Sequence, residues 1–224
     1  MNELLLSIRN NAVGLGLFAM VTAGAIAAAQ VGTRDRIEHN IRQAEARALN
    51  EIVPQDAYDN DLLNDTVALD ETLNRQLLGP VADDAVIHLA RRDGKVHTAI
   101  LPVVAPDGYT TQISLIVGIS ADGEVAGVRV IEHKETPGLG DKVDLKKSDW
   151  ILSFSGTSLT NPGEAAWAVK KDGGDFDQFT GATITPRAVV RAVKRALIFF
   201  NQHQQHILSE RLVEPVQPSV TEVQ

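Results

Sequence analysis

Residues 12–31 read AVGLGLFAMVTAGAIAAAQV, twenty consecutive residues without a charge. A helix of about 20 residues, rising about 1.5 Å per residue, crosses the hydrocarbon core of a bilayer. The run therefore predicts an N-terminal transmembrane helix, with everything else built outside the membrane. Ala27-Ala28-Ala29 also resembles a signal-peptide cleavage site, but Arg9 is the sole basic residue ahead of it and the apolar stretch is long for a cleaved signal, so a retained anchor is the expectation. Ala19, Ala23 and Ala27 recur every four residues and form a small-residue stripe of the kind that lets membrane helices pack closely. After the run, Ile37, Ile41, Ala44, Ala48 and Ile52 fall at three- and four-residue spacing, one apolar face of a helix continuing from the anchor and ended near Pro54. The acidic, turn-rich stretch Tyr58–Asp70 reads as a surface connector.

Three Asp-Gly pairs punctuate the next part of the chain: Asp93-Gly94, Asp107-Gly108 and Asp122-Gly123. Between them lie runs rich in apolar and β-branched residues, over 85–90, 95–104, 112–119 and 124–132. This pattern predicts an antiparallel sheet of about four strands or more. Asp149–Phe154 has the marks of a short helix. Pro186–Leu208 has those of a long one, with Val189, Val193, Ala196, Leu197 and Phe200 on one face and proline at its first position. The expected class is α+β: an N-terminal transmembrane helix, then an antiparallel sheet with segregated helices.

Composition removes several functions. With no cysteine, the chain holds no iron–sulfur cluster, c-type haem or disulfide. A formal net charge of -8 argues against nucleic acid as a partner, since phosphates need a basic surface.

Two segments have the chemistry of a site. Thr180-Gly181-Ala182-Thr183-Ile184-Thr185 clusters three hydroxyls and small residues ahead of a helix start, where free N–H groups and the helix dipole favour a phosphate. Read locally, the same threonines also make an ordinary helix cap. The second segment, His133-Lys134-Glu135-Thr136-Pro137-Gly138-Leu139-Gly140-Asp141, follows a strand and forms an irregular loop whose backbone donors can face a ligand. His133 and Glu135 lack a third metal ligand, so no metal is expected, and His133 is read as orienting the loop through a ring hydrogen bond.

These segments together resemble the FMN-binding domain family of the RnfG/RsxG and NqrC subunits of bacterial electron-transport complexes, with the RnfG/RsxG type nearest. Thr180–Thr185 is similar to the family's flavinylation motif, with threonine where serine is commoner at its first position and Asp177 at its acidic position. The Glu135–Gly140 run, Gly108-Tyr109, the 49–54 stretch and Asp59-Asn60 match as well, so the resemblance extends from the anchor to about Leu208. It implies FMN attached covalently to Thr185 through a phosphoester, installed from FAD by a separate flavin transferase. It implies that Thr180, Gly181, Ala182, Thr183, Glu135, Thr136, Gly138 and Leu139 surround the cofactor. No residue is expected to act as a catalyst in turnover. Lys142 and Lys170 are candidates for stabilising reduced flavin, with solvated surface lysines as the simpler reading.

The domains so implied are an anchor (1–33), a helical juxtamembrane segment and connector (34–80), an FMN-binding domain (81–210) and a flexible tail (211–224). The implied role is an electron-relaying subunit of an Rnf/Rsx-type complex, in which electron flow between ferredoxin and NAD drives ion movement, a related form serving to reduce SoxR. Its partners would be the other membrane and iron–sulfur or flavin subunits. The alternatives are a free-standing flavin reductase component and a non-catalytic membrane-tethered assembly module. Arg34, Arg36 and Arg42 follow the span and by the positive-inside tendency would hold the domain in the cytoplasm. The resemblance instead implies a single-pass inner-membrane protein with its domain in the periplasm.

Overall fold

One uninterrupted helix, α1 (Asn2–Ile52), opens the chain. In this computed structural model, which describes residues 2–70 and 72–209, the predicted anchor and juxtamembrane helix are a single element. Among the described residues no helix is long and apolar enough to cross a membrane. The side chains of Ala28, Ala29 and Val31, inside the span read from the sequence, lie outside the described set, as do those of Ile37, Ile41 and Ala44 on the expected apolar face. The expected tail, 211–224, lies outside it entirely.

Two compact units divide the chain between Glu45 and Ala46. The first is the helix up to that point. In the second, the last turn of α1 packs on a five-stranded antiparallel sheet whose spatial order is its chain order: β1 (Thr66–Ala68), β2 (Val86–Arg92), β3 (Lys95–Ala105), β4 (Ile113–Ser120) and β5 (Val125–Glu132). β2 to β5 are the four strands read from the Asp-Gly spacing. The β2–β3 hairpin turns through Asp93 and Gly94, both at positive φ, 52° and 72°, the backbone that matches the sheet's twist.

β1 corrects the sequence reading. Tyr58–Asp70 is not a surface connector: Leu62, Val67 and Leu69 are buried in it, and Thr66–Ala68 pairs with Val86–His88. Its polar residues serve the same docking. Asp65 forms an ion pair with Arg91 at 2.7 Å, both side chains being almost fully covered. The Asn60 side-chain amide donates to Asp65 and to the Leu89 carbonyl, and its oxygen accepts from Arg91 N–H. Acidity here marks internal pairing, not a solvated face.

Both faces of the sheet are covered, so β3 is buried along most of its length. On one face Leu49, Ile52 and Val53 cluster with Leu62, Ala90 and Ile100. Gly118 makes this approach possible, since a Cβ there would collide with the Ile52 side chain. Arg129 of β5 closes the end of α1, donating to the Glu51 carbonyl and pairing with its carboxylate at 2.9 Å, a favourable place for a cation.

The other face carries the main core and α2 (Ile184–Ser209), whose Val189, Val193, Ala196, Leu197 and Phe200 are all buried against it. α2 starts two residues earlier than the proline suggested. Pro186 is its third residue, still within the first turn, where a missing N–H costs no hydrogen bond.

Between β5 and α2 the chain runs through short 3₁₀ turns, including Gly140–Val143 and Asp149–Phe154. The second is capped by Ser148, which accepts from Trp150 N–H. An aromatic cluster fixes this irregular stretch: Phe154 stacks on Phe176 at 4.7 Å, and Trp150 meets Phe179 edge-on at 5.1 Å. Trp150 also donates to the Asp177 carbonyl. Large buried rings here replace regular hydrogen-bonded structure as the source of rigidity, and they set the position at which the chain enters Thr180–Thr185.

Candidate functional site

Thr185 lies in the first turn of α2 and is fully buried. Its hydroxyl does not cap the helix. It donates instead to Oε2 of Glu135, fifty residues earlier in the chain. Thr183 supplies the helix start through its carbonyl, which accepts from Arg187 N–H at 3.3 Å.

Glu135 is only 4% exposed. A buried carboxylate needs donors to replace lost water, and two elements provide three of them. Thr110 N–H donates to Oε1 at 2.9 Å and Tyr109 N–H to Oε2 at 3.3 Å, both from the loop joining β3 and β4. The Thr185 hydroxyl is the third donor. Glu135 is held from its own backbone too: its N–H donates to His133 Nδ1 at 3.1 Å, the loop-orienting ring bond expected of that histidine.

Gly140 lies directly on this pair. A Cβ at that position would stand 2.8 Å from Thr185 Oγ1 and 3.0 Å from Glu135 Oε2. Gly108 is as tightly placed beneath Glu135, where a Cβ would collide with the Thr111 carbonyl and stand 3.1 Å from Glu135 Oε1. Thr136 to Asp141 form a compact turn in which the Thr136 carbonyl accepts from Leu139 and Gly140 N–H, each at 3.1 Å. Gly138 turns through φ 78° and is exposed. The Leu139 side chain lies over Gly181, 3.5 Å from where a Cβ would be, and Gly181 itself takes φ 82°, a conformation open to glycine.

The two candidate segments thus meet. Thr185, Glu135 and Gly140 are in direct contact, Leu139 and Gly181 close the next layer, and Thr183 and Ala182 are half-buried beside them. Thr180 is exposed at the motif's outer end. Tyr109, Leu139 and Ile184 are exposed apolar side chains carried by the three segments that build the site. Lys170 is paired with Asp177 at 2.7 Å on the exposed side, and Lys142 is half-buried in the Gly140–Val143 turn.

The charges around α2's first turn are arranged in exposed pairs. Arg187 binds Asp172 through two hydrogen bonds, 2.5 and 2.8 Å. The Arg187 hydrogen bond holds the Asp172 carboxyl below the usual carboxylate range, and the same contact raises Arg187 further. Because the folded value is lowered, the pair's contribution is complete above the ordinary carboxylate range and is lost as pH falls through the lowered value. Arg191 pairs with Asp107 at 2.5 Å and ties the β3–β4 loop to α2.

Two hollows lie elsewhere on the surface of the described residues. One of about 270 Å³ is bordered by Leu49, Tyr58, Asn60 and Leu63. Another, about 130 Å³, borders Thr111, Ser114, Glu132 and His133 beside the loop. Neither is lined by Thr185 or Glu135, both of which are buried.

The sequence alone did not reveal that Glu135 touches Thr185, or that Tyr109 and Thr110 donate to it. Those donors are backbone groups, so no residue type advertises them. The tight glycine at 108 is their one trace.

Residues 108–198 match the FMN-binding domain family, a span that begins at this glycine and takes in both segments of the site. Residues 1–52 match the RnfG N-terminal region, which ends with α1. The chain is 49% identical over 203 residues to the G subunit of the ion-translocating oxidoreductase complex of Pseudomonas aeruginosa, covering 91% of this chain and 93% of that protein. The corresponding subunit of Pseudoalteromonas atlantica is 46% identical, covering 90% and 92%. That of Vibrio cholerae is 45% identical, covering 91% and 95%. With residues 1–52 and 108–198 matched and the alignment to relatives covering about nine tenths of the chain, the chain belongs to the RnfG family, the G subunits of the ion-translocating oxidoreductase complexes.

Proposed function

We propose that this chain is a membrane-anchored flavoprotein subunit that relays electrons through FMN bound to Thr185 as a phosphoester, within an Rnf/Rsx-type ion-translocating oxidoreductase. The observation that carries the reading is the buried Thr185 hydroxyl, held by Glu135 under Gly140 at the start of α2, inside the region matching an FMN-binding domain. The subunit names of the relatives supply the complex.

The residues present fit such a group. At Gly140 a side chain would collide with Thr185, which keeps the backbone within reach of whatever the hydroxyl carries. The first turn of α2 supplies the positive end of a 26-residue helix, suited to a phosphate. Tyr109, Leu139 and Ile184 offer exposed apolar surface against which a planar ring can lie. FMN supplies the redox chemistry, and the protein supplies position and electrostatics. Thr185 is then a tether that prevents loss of the cofactor, with Thr180, Gly181, Ala182, Thr183, Glu135, Thr136, Gly138 and Leu139 around it.

Residues 12–31 would be the single-pass anchor in the bacterial inner membrane, with the sheet domain in the periplasm. The chain would work beside the other membrane, iron–sulfur and flavin subunits in electron flow between ferredoxin and NAD, and in the related role of keeping SoxR reduced. A flavin transferase would be its partner during maturation.

The test is coexpression with a flavin transferase, followed by denaturation and in-gel flavin fluorescence. Wild type is expected to fluoresce, and Thr185→Ala to fold without fluorescence. Equal fluorescence in the variant would move the attachment elsewhere. Protease treatment of right-side-out vesicles is expected to cleave the domain before lysis, and cleavage only after lysis would place it in the cytoplasm.

A further inference from the structure

Resting on attachment of FMN at Thr185, we propose that Glu135 is the base that the acceptor chain itself brings to that reaction. Its carboxylate takes the Oγ proton of Thr185 as the oxygen attacks the FMN phosphorus of FAD. The Oγ–P bond forms, the pyrophosphate P–O bond breaks, and AMP leaves with that electron pair. The proton passes to Glu135 Oε2, and nothing is oxidised or reduced.

A threonine hydroxyl is a weak nucleophile at neutral pH and needs a base within hydrogen-bond reach. Glu135 Oε2 already accepts from that hydroxyl. The remaining contacts of the carboxylate suit a base more than a structural ion pair. Its other donors are the Tyr109 and Thr110 N–H groups, and among the described residues no lysine or arginine pairs with it. These backbone donors orient the carboxylate toward the Thr185 hydroxyl.

Thr185 is fully buried, so phosphorus reaches it only when the turn carrying Gly140 lifts. The fixings of Glu135 allow this. They come from His133 before the turn and from the β3–β4 loop across it, and none comes from Thr136 to Leu139. The turn can open about its exposed Gly138 while Glu135 keeps hold of Thr185. Glu135 is thus the fixed half of the site and Gly140 the movable cover.

The experiment measures initial rates of covalent flavin incorporation into the full chain, purified without FMN in detergent, with flavin transferase, FAD and Mg2+. Chain concentration is varied to separate kcat from KM. Glu135→Gln keeps the size and an oxygen for the Thr110 N–H but accepts no proton. Its kcat is expected to fall about 100-fold or more with KM little changed and the same cooperative melting transition, in line with the usual contribution of a general base. A folded Glu135→Gln labelled at the wild-type kcat, or slowed only through KM, would overturn the proposal. Glu135→Ala, which removes the buried charge with the base, serves if the glutamine variant does not fold. Formate is expected to raise its labelling rate about tenfold, a small carboxylate replacing the missing base, and no response to formate would count against the proposal. Absence of label in the wild type would overturn the attachment reading itself.

Discussion

Gly140 is where one atom decides the site. The position has no positive φ to satisfy, so its constraint is steric. An added methyl would stand 2.8 Å from Thr185 Oγ1 and 3.0 Å from Glu135 Cβ, and both neighbours are buried and held from several sides. Gly140→Ala is therefore expected to cost about 1–3 kcal/mol, the usual range for overpacking, and to push the hydroxyl off Glu135. Chemical denaturation measures the first effect and the rate of flavin attachment the second. Unchanged stability would mean that the turn above Thr185 is looser than its close contacts indicate. Thr185 itself is a residue whose meaning changes with scale. Locally it is a hydroxyl at a helix start, and capping would explain it. In the fold its hydroxyl points away from the cap, toward a carboxylate from a distant loop.

Among the elements, β1 is held by a buried charge pair as well as by apolar burial. The Arg91–Asp65 pair joins β2 to the segment leading into β1, with side chains 3% and 7% exposed. Arg91→Ala leaves Asp65 buried without its cation and is expected to cost about 3–5 kcal/mol, as broken buried pairs do. Replacing both residues with apolar ones of similar size is expected to cost much less. A near-zero effect of Arg91→Ala on the denaturation midpoint would show that β1 docks through Leu62, Val67 and Leu69 alone. This same element marks the limit of what the sequence discloses. Strands β2 to β5 were legible because Asp-Gly turns bracket apolar runs of six or more residues. β1 has three residues flanked by aspartates, and its buried partners come from β2, so the local pattern reads as a solvated connector. α2 was legible from its apolar stripe, but its first turn was not, since Ile184 and Thr185 precede the proline that signals a start. The contact between Glu135 and Thr185 was the least legible feature, because it depends on how the irregular stretch from Lys134 to Thr183 folds back. The aromatic cluster of Trp150, Phe154, Trp167, Phe176 and Phe179 settles that path through tertiary packing.

For the molecule as a whole, the family regions and the architecture divide the labour. The RnfG N-terminal region ends where α1 ends, and the FMN-binding region begins at the loop that donates to Glu135 and runs into α2. β1 to β3 lie between the two, forming the part of the sheet onto which the flavin-binding half is built. The sheet joins both halves of the second unit: the last turn of α1 covers one face, α2 and the site occupy the other. A cofactor on Thr185 would thus be fixed to the core through the first turn of α2, with the Gly138 turn exposed beside it. Attachment at Thr185 is read directly by tryptic peptide mass spectrometry of the protein matured with a flavin transferase. The peptide spanning 172–187, which holds Thr180, Thr183 and Thr185, is expected to gain the mass of FMN less one water, with fragmentation placing it on Thr185. FMN mapped to another residue, or a fully unmodified peptide after complete reaction with the transferase, would contradict attachment at Thr185.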